Sequence, residues 1–153
     1  MRFKIELDML SYKYLKAKNL LELTCDDSCD DFIGTVIYSF FMEFESERKN
    51  ITDLLVRRRA ETYIYTAEIN ISGHKLRNVK RETFHPDTID RIRKFIRKQV
   101  LNEYLCHMRL ARKKFNQHRE DATYEFKAYY DFDDEDISTE SLLRYWSRKR
   151  KYV

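Results

Sequence analysis

Glycine and proline are nearly missing from this chain: 153 residues contain two glycines and one proline, where ordinary usage would place about eleven and eight. Loops that cradle phosphates need glycine, because the backbone must approach the ligand with no Cβ in the way. Gly34 and Gly73 stand alone, so neither a Walker loop nor a dinucleotide-binding loop can be assembled, and nucleotide-hydrolysing and dehydrogenase chemistry are set aside. Cysteine is scarce and odd in number, at three, which argues against a disulfide framework and for a reducing compartment. Long hydrophobic runs are missing too. The longest, Val36 to Met42, is broken by Ser39 and is far too short to span a bilayer. The opening MRFKIELDML is charged from its second residue and reads as neither a signal peptide nor a membrane anchor. The expectation is a cytoplasmic protein with no membrane contact, or a virion protein assembled in a host cytoplasm.

Charge and aromatic side chains are plentiful. Charged residues reach 37% and aromatic residues 14%, beside 42% hydrophobic, enough apolar material for a core. The net charge of +4 conceals blocks of opposite sign. Residues 1–56 hold 7 basic and 11 acidic residues, and 57–119 hold 17 and 6. Residues 120–140 hold 1 and 9, and the last thirteen hold 5 and 0. Blocks of this kind govern partner choice and long-range steering rather than fold.

Periodicity predicts an α+β protein: a mainly helical single domain over 1–153, with a small antiparallel sheet or hairpin and one long basic helix. Residues 2–8 alternate as a short strand, with a first helical turn as the alternative. Residues 9–23 read as a helix, and TCDDSCDD (24–31) as a polar capping stretch. Phe32, Ile33, Val36, Ile37, Phe40, Phe41 and Phe44 lie on one helical face. Residues 61–72 alternate as a half-buried strand, turn at Ser72–Gly73, and pair with a second strand near 75–84. Pro86 starts a helix with no breaker until about Glu120, approaching 50 Å at about 1.5 Å per residue. Residues 122–132 alternate Tyr124, Phe126, Ala128, Tyr130 and Phe132 against polar neighbours and are predicted to be a strand. The acidic stretch 131–137 reads as a loop, Ser138 or Thr139 as the cap of a short helix, and 148–153 as a basic tail.

Each candidate for chemistry falls short of a site. Cys25 and Cys29 supply half a zinc site at most, because Cys106, His107, His74, His85 and His118 offer no second paired spacing. Cys106 and His107 are adjacent and would point about 100° apart on a helix, so they cannot form a nucleophile–base pair. Glu125 and Lys127, if on a strand, would share one face, as in metal-dependent nucleases. Such a site needs a further carboxylate for Mg²⁺, with Asp53 or Asp121 as candidates. The acidic run lacks the glycine and closing glutamate of a calcium loop. No cofactor is expected, and the chain is read as a non-enzyme.

The strongest signals are charge clusters. Arg57, Arg58 and Arg59 form one; Arg91, Arg93, Lys94, Arg97 and Lys98 a second; Arg109, Arg112, Lys113 and Lys114 a third; Arg148, Lys149, Arg150 and Lys151 a fourth. Such positions can track phosphates or meet a protein partner, though they equally suit the solvated face of an amphipathic helix. Asp133, Asp134, Glu135 and Asp136 offer an acidic interface of opposite sign.

One order of segments resembles a known family. LSYKYLKAKNLLEL, TCDDSCDD and FIGTVIYSFFMEFES, followed by HPDTIDRIRKFIRKQVLNEY and STESLLRYWSRK, are similar over about half the chain to the head-to-tail connector (adaptor) proteins of tailed bacteriophages. The long basic helix and the 122–132 segment depart from that pattern, and other neck-ring proteins such as tail terminators fit almost as well. The resemblance implies a homo-oligomeric ring between portal and tail, built by contacts between unlike surfaces that close on themselves. A nucleic-acid-binding or nucleic-acid-mimicking regulator using the basic helix is the alternative, and a small Mg²⁺-dependent nuclease the lesser one.

Overall fold

The computed structural model describes residues 2–25, 32–46, 65–71 and 86–150. They form β1 (Arg2–Leu7), α1 (Met9–Ala17), β2 (Glu22–Cys25), α2 (Phe32–Ser46), β3 (Tyr65–Ile71), α3 (Pro86–Phe115), α4 (Arg119–Tyr130) and α5 (Thr139–Lys149). The protein is mainly helical, as expected. Beside the single domain expected over 1–153, the chain divides into two compact units, Met1–Phe95 and Ile96–Val153, and buried residues lie in both.

In the first unit the described strands form a mixed sheet in the order β1-β3-β2, not an antiparallel hairpin. β1 runs antiparallel to β3, with Ile5 opposite Ala67 and Leu7 opposite Tyr65. β2 runs parallel to β3, with Leu23 opposite Ile69. The second hairpin strand expected at 75–84 lies outside the described residues, as do 50–59. Ile5, Leu7 and Ala67 are buried, as period-2 alternation requires. Leu10, Tyr14 and Leu15 of α1, Ile33 and Ile37 of α2 and Ile92 of α3 complete this core.

Helix α1 ends well short of the expected residue 23. Asp8 caps its start by accepting from the Ser11 amide at 3.0 Å. Asn19 then takes a left-handed conformation (φ 62°), and the Leu20 amide donates back to the Leu15 carbonyl at 2.8 Å. This is a Schellman stop, and it frees residues 22–25 to become β2.

In the second unit, Asn116 (φ 45°) ends α3 at Phe115, with the Gln117 amide donating to the Ala111 carbonyl at 3.1 Å. The helix therefore spans about 45 Å rather than running on to 120. The strand expected at 122–132 is corrected as well, because these residues form α4. Ala122, Phe126 and Tyr130 recur every fourth residue, a spacing that fits both a strand face and a helix face. The intervening residues discriminate: Tyr124 is 59% exposed and Tyr129 70% exposed, while Thr123 and Lys127 are buried beside Phe126.

Helix α4 closes with Asp131 left-handed (φ 56°) and the Phe132 amide donating to the Lys127 carbonyl at 2.9 Å. Phe132 folds back over Tyr130, ring centroids 5.3 Å apart, and towards Phe126 at 6.3 Å, the hydrophobic contact that accompanies this stop. In a chain this poor in glycine, Asn19, Asn116 and Asp131 supply the left-handed positions among the described residues, which these short polar side chains tolerate best after glycine. Asp131→Val is expected to cost about 1–2 kcal/mol in urea unfolding, whereas Asp131→Gly should match or exceed the wild type.

Candidate interaction surface

The second unit is built from the C-terminal part of α3 with α4 and α5. Helices α3 and α4 run antiparallel and lock through a polar seam inside an aromatic core. Thr123 Oγ1 donates to the Arg119 carbonyl at 2.7 Å and is left accepting from the Tyr104 hydroxyl at 2.9 Å. Burial pushes the Tyr104 pKa up, partly offset by this bond, so Tyr104 stays protonated and can donate. His107 Nε2 donates to the Ala122 carbonyl at 2.8 Å, and the Tyr130 hydroxyl donates to the Glu103 carboxylate. Phe126 packs edge-on against Tyr104 at 5.2 Å, and Leu142 and Trp146 bring in the buried side of α5.

The acidic loop proves to be partly structural. Asp133 Oδ1 accepts from the Glu135 and Asp136 amides, and Asp136 Oδ2 from the Asp133 amide. Asp134 Oδ1 accepts from Lys127 Nζ and from the Thr139 amide at 3.2 Å, tying the end of α4 to the start of α5. Of the two caps the sequence offers, Ser138 is the one used, accepting from the Ser141 amide at 3.2 Å. Glu125 and Lys127, expected on one strand face, lie on opposite sides of a helix: Glu125 is exposed and Lys127 buried. The geometry behind the nuclease reading is therefore missing.

The Lys127–Asp134 pair is lopsided, with Lys127 8% and Asp134 75% exposed. The hydrogen bond from Lys127, followed by that from the Thr139 amide and the charge of Lys127, holds the Asp134 carboxyl below its ordinary value of 3.8. A depressed carboxylate contributes stability above its unfolded pKa and loses it as pH falls through the folded one. Asp134→Ala should therefore lower the thermal midpoint at neutral pH, and the gap to wild type should close below about pH 4. Lys127→Met should cost less than Asp134→Ala, because an exposed carboxylate is re-solvated while a buried ammonium is stranded.

The predicted basic residues are distributed as follows. Arg57, Arg58 and Arg59 lie outside the described residues, as does Lys151. In the first unit, Arg91 and Lys94 are exposed, and half-buried Arg93 pairs with Asp90 at 3.4 Å. In the second unit, Arg97, Lys98, Arg112, Lys113 and Lys114 are exposed, Arg109 is half-buried, and none of them makes an ion pair among the described residues. Lys98, Arg109 and Lys113, with Asn102 and Cys106, fall on the side of α3 across from Tyr104, His107, Met108 and Ala111, which meet α4. On α5, Arg148, Lys149 and Arg150 are exposed. A shallow groove of about 300 Å³ beside them is lined by Arg119, Glu140, Leu143, Arg144, Ser147 and Arg148, with Arg144 paired to Glu140.

Helix α4 carries the face that strand periodicity concealed. Asp121, Tyr124, Glu125 and Ala128 lie across the helix from Ala122, Thr123, Phe126 and Tyr130, flanked by Glu120 and Tyr129, and all six are exposed. Glu120, Asp121 and Glu125 make no ion pair among the described residues. Because α3 and α4 meet along their buried sides, their outer faces point away from each other: one cationic, the other acidic and tyrosine-bearing. Residues 119–130 plotted at 100° per residue already display that face, so a helical reading of the segment would have found it.

Among the described residues no group of three or more His, Cys, Asp or Glu side chains is placed to hold a metal, and no helix is long and apolar enough to cross a membrane. Cys106 is a free, exposed thiol. No protein family, curated protein or solved structure matches the chain.

Proposed function

We propose that this chain is a non-enzymatic assembly protein that associates with copies of itself, and that its place is a ring in the neck of a tailed phage, between portal and tail. The observation that carries the assembly reading is the pair of opposed outer faces on the helical unit, opposite in sign and, among the described residues, without ion pairs to the rest of the chain. Two different, complementary patches on one subunit produce head-to-tail contacts, which close into a ring or run on as a filament. Exposed Tyr124 and Tyr129 add a side chain enriched where protein surfaces meet. The portal–tail location rests on the resemblance of the segment order to connector proteins.

Mass measurement by light scattering, for the protein alone and mixed with portal rings, tests the reading. A closed oligomer heavier than 18.8 kDa, or capture on the portal ring, is expected. A monomer that joins no ring would refute it.

A second reading, contact with nucleic acid, is favoured by the exposed cations Lys98, Lys113 and Lys114 of α3 and Arg148 and Lys149 of α5. It predicts affinity falling steeply with salt and lost when Lys98, Arg109 and Lys113 become glutamate.

A further inference from the structure

Resting on the assembly reading, we propose that the α4 outer face docks on the α3 outer face of a second copy of this chain, with Ala128 approaching Cys106. Charge complementarity selects the occupant. The α4 face offers Glu120, Asp121 and Glu125 with no basic side chain among them, and the α3 face offers Lys98, Arg109 and Lys113 with no acidic one. Among the described residues neither set is paired within its own subunit, and the two faces point apart. Lengths agree as well: Lys98 to Lys113 covers about 22 Å of helix axis and the twelve residues of α4 about 18 Å.

The middle of each face is small and uncharged. Asn102 and exposed Cys106 lie between Lys98 and Arg109 on α3. Ala128 lies between exposed Tyr124 and Tyr129 on α4. A small residue at the centre lets two helices approach closely, and the flanking tyrosine rings can cover the aliphatic stems of lysine and arginine and meet their charges over the ring face. Each subunit donates one face and receives with the other, so the contact propagates instead of stopping at a dimer.

Two sets of variants test this. Lys98→Ala/Arg109→Ala/Lys113→Ala silences the α3 face, and Asp121→Asn/Glu125→Gln silences the α4 face. All five positions are outside the buried core, and circular dichroism checks that folding is kept. Each variant alone should be monomeric at concentrations where the wild type is assembled. Mixed, they should form a 1:1 dimer of about twice 18.8 kDa, since one intact face of each kind remains. In addition, Ala128→Cys under mild oxidation should give a ladder of crosslinked oligomers that Cys106→Ser abolishes.

Wild-type mass in both variants, or an Ala128→Cys ladder that survives Cys106→Ser, would overturn the docking while leaving self-assembly by another surface intact. A monomeric wild type would overturn both. Loss of DNA binding in the α3 variant with no change in mass would assign the cationic face to a polyanion instead.

Discussion

Phe126→Ala should destabilise the helical unit by about 3–5 kcal/mol, the usual cost of truncating a buried phenylalanine to alanine. Phe126 is 3% exposed and lies at the centre of a ring cluster, against Tyr104 at 5.2 Å, Tyr130 at 5.1 Å and His107 at 5.7 Å. Its loss empties the place where α3, α4 and the Asp131 stop converge, and backbone hydrogen bonds on either side hold the cavity open. A unit of this size has little excess stability, typically 0.05–0.15 kcal/mol per residue, so the substitution should remove most of it. Urea unfolding followed by Trp146 fluorescence reports on this unit, since Trp146 is the chain's one tryptophan and is buried within it. A loss below 1 kcal/mol would mean that the cluster is not the core of the folded unit.

Ile37→Ala should cost the sheet-bearing unit about 2–5 kcal/mol. Ile37 is fully buried on α2, one turn beyond Ile33, and α2 packs on β2, so its side chain holds that helix against the sheet. Because each unit draws on its own buried residues, hydrogen exchange should rise chiefly in the amides of β1, β2 and β3, while α4 and α5 keep their protection. Equal loss in both sets would show that the two cores unfold as one.

The sequence was most legible where one period fitted better than the other. Phe32 to Phe44 fit a helix face, whereas a strand would have put Ile37 and Phe41 beside Ser39 and Glu43, and the structure has α2 there. Pro86 and Ser138 announce the starts of α3 and α5. It was least legible where two periods coincide. Ala122, Phe126 and Tyr130 recur every four residues, an even number that also satisfies a strand, and tyrosine and phenylalanine favour strands. That single ambiguity produced the nuclease geometry at Glu125 and Lys127 and concealed the acidic face of α4. The helix ends at Asn19 and Asn116 were missed for a related reason. Asparagine is a weaker stop signal than glycine, yet in a chain with two glycines it has to serve. Pairing of β2 beside β3 depends on contacts between distant segments, which no local pattern encodes. Basic residues at helical spacing were visible along α3, but that Lys98, Arg109 and Lys113 face away from the acids of α4 emerges only from the packing.

Sedimentation velocity across a salt series tests the central claim most directly. If complementary charged faces drive assembly, a species heavier than 18.8 kDa should form at low ionic strength, with an association constant that falls as rising salt shortens the screening length from about 30 Å at 0.01 M to about 3 Å at 1 M. A protein that stays monomeric at every concentration in low salt, or an oligomer whose stability ignores salt, would contradict it.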